Sequence, residues 1–445
     1  MKVCVFGLWH LGCVTAACLA SAGHSVVGLD PDEECIKNLR DCRLPIFEPG
    51  LEDLTREALD RGSLRFTSSP KEALGAEAPA EAPEVVWVTF DTPVDQNDVA
   101  DVDYVCGQIG QLFSYLKPGM AVLISSQLPA GTTRRLERAW HQANPGKEIA
   151  FAYSPENLRL GKAIEVFTRP DRVIVGYRSP AAKEKIDSLL RPFNARIEWM
   201  SVESAEMTKH AINAFLATSV AFINELAGLC EHVGADAKEV ERGLKTESRI
   251  GPKAYLGPGP AFAGGTLARD IAFLKQMGAA CQSPTHLIEA VQSSNDAHKS
   301  WTRRKLLNLF KDFACRRISI LGLTYKPGTD TLRRSMSVEL CLWLADSGAS
   351  VHAHDPAVRN LPQELKPKIC LHERMEDALR NADAVVIGTE WPDYLNISAD
   401  LIVAEMKTAI VVDPGRFLAG SLSTESRIRY ITIGKPDAET ALWAL

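Results

Sequence analysis

Two β-α-β patterns, each with a glycine turn closing its first strand, flank an apolar run that reads as one long helix. Together they predict an α/β protein of two Rossmann-like, doubly wound domains joined by a long central helix and a helical core. The expected boundaries are 1–198, 199–300 and 301–445. With 445 residues, 46% hydrophobic and 24% charged, the chain can bury two or three packed cores rather than one. A net charge of −6 argues against a nucleic-acid or acidic-lipid surface, so a small molecule is the expected partner, with no nucleic acid and no membrane. Eleven cysteines without a Cys-x-x-Cys pair fit a reducing, cytoplasmic setting. The N-terminus enters a strand at once, without the basic and apolar regions of a signal peptide.

In the first half, Lys2-Val-Cys-Val-Phe6 is a strand ending in the turn Gly7-Leu-Trp-His-Leu-Gly12. A helix follows over residues 14–22, then the strand Ser25-Val-Val-Gly-Leu-Asp30. A dinucleotide turn needs a tight first glycine, a second that admits pyrophosphate, a third for helix packing, and an acid for the ribose about 20 residues on. Gly7, Gly12 and Asp30 supply three of these; Trp9 stands at the second glycine, with Leu11 in the same turn. An acid rather than a base at position 30 favours NAD over NADP.

Residues 32–60 are mostly helical, and the Ala/Pro/Glu stretch 74–83 reads as a surface loop. Three further strands end in Phe90-Asp-Thr-Pro93, Ser125-Ser-Gln-Leu-Pro129 and Tyr153-Ser-Pro-Glu156. Ligands of open α/β sheets sit at such carboxyl ends, although the same residues also serve simply as turn formers.

Residues 201–233 form the long run, with Phe215, Val220, Phe222, Ile223, Leu226 and Leu229 covering most of a helix circumference. Such a helix is expected to be buried on more than one side, between domains and against a second subunit, which predicts a homodimer. Lys209 and Asn213, four apart, share one face. They are either a reactive pair or a solvated lysine beside a core amide.

The stretch Pro260-Ala-Phe-Ala-Gly-Gly-Thr-Leu-Ala-Arg-Asp270 is a glycine turn opening a helix. The first N–H groups of that helix point outward, so Gly264, Gly265 and Thr266 can hold an anion, with Arg269 and Asp270 around it. The plainer alternative is Thr266 as an ordinary N-cap. From Cys315 the second β-α-β pattern runs through Ile318-Ser-Ile-Leu-Gly-Leu323, a helix over 338–345 and Ser350-Val-His-Ala-His-Asp355. Further strands lie at 384–388 and 409–413. His352 and His354 are a His-x-His pair without a carboxylate partner, and no metal is expected.

Several motifs in order resemble the UDP-glucose and GDP-mannose dehydrogenase family of nucleotide-sugar dehydrogenases. They are Pro155-Glu-Asn-Leu-Arg-Leu-Gly161, Pro170-Asp-Arg-Val-Ile-Val-Gly176, Lys209 with Asn213-Ala-Phe215, Arg249-Ile-Gly251, Gly322-Leu-Thr-Tyr-Lys-Pro-Gly-Thr-Asp330 with Arg333, and Thr389-Glu-Trp391. The resemblance implies an NAD-dependent oxidoreductase that acts on the C6 alcohol of a UDP- or GDP-sugar, through an aldehyde and then a thioester on a cysteine. It implies that Lys209 and Asn213 stabilise the developing oxyanion, Asp270 assists proton transfer or orients water, and Glu156 lines the sugar site. Arg249, Lys326 and Arg416 would hold sugar and diphosphate, and Asp30, Thr92, Ser126 and Arg333 would contact NAD.

The departures lie where that chemistry occurs. In the family's Gly-Gly-x-Cys-Phe-x-Lys-Asp, aligned on Phe262 and Asp270, the cysteine is Thr266 and the lysine Arg269. Leu160 replaces a glutamate, Gln127 a threonine and Trp9 a glycine. A thiol is partly ionised near neutral pH, whereas an alcohol needs an adjacent base, and none stands beside Thr266 in sequence. The expectation is that the first hydride transfer survives and thioester formation does not. Two alternatives remain: a degenerate paralogue that only binds NAD or a sugar nucleotide, and a β-hydroxyacid dehydrogenase, which needs no cysteine but has no use for the second Rossmann-like half.

Overall fold

A computed structural model of the chain describes residues 1–76, 78–95, 100–156, 158–194, 196–263 and 265–437. The chain forms two compact units, Met1–Ile212 and Asn213–Leu445.

The first unit is built on β1 (Lys2–Phe6), β2 (Ser25–Leu29), β3 (Leu64–Thr67), β4 (Val85–Val88), β5 (Ala121–Ile124), β6 (Ala150–Tyr153), β7 (Val173–Gly176) and β8 (Ile197–Met200). Their order is β3-β2-β1-β4-β5-β6-β7-β8, parallel except where β6 meets β7. The central strands are rich in β-branched residues because both faces are covered. Alternate residues divide between two cores: Val3, Val5, Trp87 and Leu123 on one face, and Cys4, Phe6, Val86, Val88 and Ile124 on the other. The helix His10–Ser21 starts four residues earlier than the apolar pattern suggests. The glycine turn sets that start, because Gly7 has φ 99° and a Cβ on Gly12 would lie 1.8 Å from the Gly7 carbonyl oxygen.

The second unit repeats the winding with β9 (Arg317–Leu321), β10 (Ser350–His354), β11 (Cys370–Leu371), β12 (Ala384–Ile387), β13 (Ile410–Asp413) and β14 (Arg429–Thr432). They run in the order β11-β10-β9-β12-β13-β14. At its first turn Gly322 (φ 93°) packs on Thr389, whose nitrogen would lie 2.5 Å from an added Cβ. The helices Ala237–Thr246, Thr266–Cys281, His286–Lys299 and Trp301–Phe310 precede this sheet.

One helix, Val202–Val233, begins in the first unit and continues into the second. By length and apolar composition it is the one helix among the described residues that could cross a membrane. It also buries Glu206, Lys209, His210, Asn213, Asn224 and Glu231, the polar set of a helix packed inside protein. Within one chain the helix leaves part of its apolar surface open: Phe215 is 69% exposed, Phe222 48%, Leu229 61% and Val233 63%.

Candidate functional site

The first Rossmann turn is shaped for a dinucleotide. Gly7 and Gly12 leave no room for side chains. At the end of β2, Asp30 accepts hydrogen bonds from the N–H groups of Leu8 (2.7 Å) and Asp32 (3.0 Å). Burial pushes its carboxyl above the usual range and these two donors pull it back. A cavity of about 620 Å³ opens here, lined by Gly7, Trp9, Asp30, Phe90 and Tyr104. Trp9 sits at the helix N-terminus, half exposed and with extended backbone, so its ring narrows the approach to the N–H groups. Across the strand ends, Thr92 donates to the Gln127 carbonyl at 2.6 Å. The Ser126 hydroxyl is buried without a protein partner, as expected of a group that meets a ligand or water. The glycine cradle and this hydroxyl fit NAD.

The first turns of the Val202–Val233 helix hold the loops that carry these groups. Glu206, fully buried, accepts from Gly131 N–H (2.6 Å), Thr133 N–H (2.9 Å) and the Thr133 hydroxyl (2.6 Å). His210 bonds the Leu128 carbonyl at 3.1 Å. Lys209, also buried, donates to the Glu156 carbonyl at 2.5 Å. Burial pushes the Glu156 carboxyl above its usual range, and the Lys209 charge acts the other way. Glu156 lines a second cavity, about 500 Å³, with Leu11, Ser125, Ser154, Arg159 and Lys162. The loop bearing Glu156 is pinned by buried Glu48, which accepts from Gly161 and Ala163 N–H, both at 2.8 Å.

One helical turn beyond Lys209 on the same helix, Asn213 donates to the carboxylate of Asp270, and both side chains are buried. Asp270 lies one turn into the helix Thr266–Cys281, four residues beyond Thr266. Thr266 is exposed and is the first helical residue. The N-cap reading is corrected: Gly265 (φ 100°) caps the helix because only glycine takes that backbone easily, and no side chain caps it. Gly264, the other turn glycine, lies outside the described residues. A cavity of about 640 Å³ in this unit is lined by Ala261, Lys326, Arg334, Thr389 and Glu390, among others.

The remaining predicted residues are more dispersed. Lys326 lines this cavity. Arg333 is exposed and outside its lining; Arg334 lines it instead. Arg249, exposed, bonds Glu247 at 2.9 Å. Arg416 is held in a two-pronged ion pair with Asp236 at 2.7 and 3.0 Å, so a ligand phosphate would compete with that carboxylate.

Comparison with known proteins agrees with this geometry. Family models for the NAD binding, central and UDP binding domains of the UDP-glucose/GDP-mannose dehydrogenase family match residues 1–194, 203–297 and 319–419. The chain belongs to that family. The UDP-glucose 6-dehydrogenase of Rhizobium meliloti (strain 1021) is 34% identical over 98% of this chain and 100% of its own length. Among solved structures, a UDP-glucose dehydrogenase from Pyrobaculum islandicum superposes with a TM-score of 0.84 at 28% identity, covering 98% of both chains. A UDP-D-ManNAc dehydrogenase from Pyrococcus horikoshii superposes with a TM-score of 0.84 at 26% identity, over 98% of this chain and 100% of its own. The chain is thus an NAD-dependent oxidoreductase of the sugar-nucleotide class. A β-hydroxyacid dehydrogenase accounts for none of the 319–419 match.

The sequence reading missed Glu206 and Asp355. Glu206 is a mid-helix acid that reads as solvated, and only its partners some 70 residues away reveal it. Asp355, at the end of β10, accepts from Leu323 N–H (2.7 Å), Thr324 N–H (3.0 Å) and the Trp391 indole (3.2 Å). The strand-end position matching Asp30 was the available signal. Here the acid is committed to protein donors.

Proposed function

We propose that the chain oxidises the primary alcohol of a UDP-hexose of the UDP-glucose kind to the aldehyde, and releases it there. The observation that carries this reading is Thr266, an alcohol at the position where the family pattern has a nucleophilic cysteine. NAD supplies the hydride acceptor. The alcohol loses one hydride from carbon and one proton from oxygen, giving aldehyde, NADH and a proton. Lys209 and Asn213, one turn apart, stabilise the alkoxide that develops as the proton leaves. Asp270, oriented by Asn213, takes that proton. Glu156, on the loop that buried Glu48 pins, lines the sugar site.

Asp30, Thr92, Ser126 and the Gly7–Gly12 turn, with Trp9 and Leu11, bind the cofactor, with Arg333 as an additional contact. Lys326, Arg249 and Arg416 hold the diphosphate and sugar. In this reading the chain divides at 1–198, 199–300 and 301–445, works in the cytoplasm, and makes sugar precursors for polysaccharide. The exposed side chains Phe215, Phe222, Leu229 and Val233, spaced along one helix, support a homodimer formed through that helix.

The test incubates purified protein and NAD with a panel of UDP- and GDP-sugars and weighs each product. A product lighter than substrate by two hydrogens supports the reading, and a uronate as the main product overturns it. A second reading, a binder without turnover, is favoured by Trp9 at the cofactor turn. It predicts thermal stabilisation by NAD or UDP-sugar with no NADH formed from any substrate.

A further inference from the structure

At the edge of the second sheet three metal-ligating side chains converge. β10 and β11 pair in parallel with His352 opposite Cys370. Strand side chains alternate in direction, so His372, two residues beyond Cys370, returns to the same face. His352 Nδ1 and His372 Nε2 are 2.8 Å apart, with the rings stacked at a centroid distance of 5.1 Å. Each of the three residues offers a ligand atom, and all of these atoms lie within 4.8 Å of one another. None of the three lines the 640 Å³ cavity of this unit. His354, the other half of the His-x-His pair, bonds the Tyr394 hydroxyl at 3.0 Å instead.

We propose that His352, Cys370 and His372 form a binding site for a borderline-soft divalent cation of the zinc class. Two imidazole nitrogens and one sulfur are the donors that zinc prefers, and three protein ligands leave one position for water. Bond lengths of ~2.0–2.1 Å to nitrogen and ~2.3 Å to sulfur in a tetrahedron place the nitrogens ~3.3 Å apart and the sulfur ~3.6 Å from each. The nitrogens must therefore separate by about half an ångström and the sulfur approach by no more than about 1.2 Å. Cys370 is exposed, which leaves its side chain room to rotate. The Ser350 hydroxyl lies 2.9 Å from His352 Nε2. A hydroxyl can accept as well as donate, so His352 can carry its proton on Nε2 and present the Nδ1 lone pair to the ion. Binding releases the Cys370 thiol proton. The two-residue strand β11, otherwise held to the sheet by a short ladder, becomes fastened to β10, which protects an open edge.

The test uses full-length protein stripped with a chelator and titrated with cobalt(II), a zinc surrogate with visible spectra. The expected result is one cobalt per chain with a thiolate-to-metal charge-transfer band and intense tetrahedral bands, displaced by one equivalent of zinc. Cys370→Ser abolishes the charge-transfer band, His372→Ala weakens zinc binding at least about 100-fold, and Ser350→Ala weakens it about 10- to 100-fold. His354→Ala leaves the spectrum and the affinity unchanged. Cys281 and Cys315 are also exposed, so the Cys281→Ser/Cys315→Ser protein is the control and retains the band. Absence of the band in wild type, its persistence in Cys370→Ser, or its loss in the control overturns the proposal. Circular dichroism of each variant distinguishes lost ligation from lost folding, and a folded Cys370→Ser protein is the required comparison.

Discussion

Replacing Asn213 with alanine removes a donor from Asp270, a carboxylate with no exposed surface. A hydrogen bond to a charged group is worth about 1.5–3 kcal/mol, and a buried acceptor left short of a donor loses that much. The second unit is large, so its melting transition should fall by about 2–4 °C per kcal/mol, or about 3–12 °C in all. Calorimetry of wild type, Asn213→Ala, Asp270→Ala and the double variant isolates the pair, with an expected coupling of about 1.5–3 kcal/mol. The same Asn213→Ala substitution should lower kcat about 10²- to 10³-fold with little change in the affinity for NAD. Asn213→Asp should be worse, because two carboxylates within hydrogen-bonding distance force one of them to hold a proton. Stability changes that add to within about 0.5 kcal/mol would refute the pairing as the reason these residues are buried together.

Thr266→Cys places a thiol at an exposed helix start, where backbone N–H groups favour the thiolate. It should leave NAD and UDP-sugar affinity within about twofold, as expected of an exposed side chain that exchanges a hydroxyl for a thiol and loses one methyl group. It should also permit the second oxidation, read as uronate in the product and as loss of that product after alkylation. Glu203 is held down to about 2, chiefly by its bond to Arg178, with burial opposing. A carboxyl so lowered stabilises the fold above its unfolded value near 4.5, and that stability is lost as pH falls from there toward 2. Because the Glu203 side chain is 30% exposed, solvent screens the pair and the contribution is discounted to about 1 kcal/mol; Glu203→Gln should flatten the acid limb of stability over this window. Phe222→Glu, on the exposed helix face, should halve the mass in light scattering if the proposed dimer forms through that face, while each chain keeps its circular dichroism; an unchanged mass would remove that face from the proposed interface.

The strands nearest the centre of each sheet were legible because both faces are buried. Val3 to Phe6 and Val85 to Val88 make unbroken apolar runs, and Ile318, Ile320 and Leu321 are interrupted only by the small, buried Ser319. β8 and β14 were not, since Glu198 interrupts one short strand and Arg429 opens the other, both at the sheet margins. Gly7 and Gly12 could be read because a steric demand leaves a residue-type signature. Glu206, Asp355 and the partnership of Asn213 with Asp270 depend on contacts across long sequence separations, and a polar residue alone does not announce its partner. The same separation hid Cys370 and His372 from His352. The proposed loss of the cysteine rests on the sequence alone, where Phe262 and Asp270 set the register around Thr266.

Counting NADH formed per UDP-sugar consumed, with substrate limiting and NAD in excess, tests the central claim most directly. One NADH per sugar, with aldehyde as product, is the result predicted by the proposal that Lys209, Asn213 and Asp270 serve the first oxidation and Thr266 stands in place of a thiol. Two NADH per sugar at an ordinary enzymatic rate would contradict it and require another nucleophile or a direct oxidation of the aldehyde hydrate.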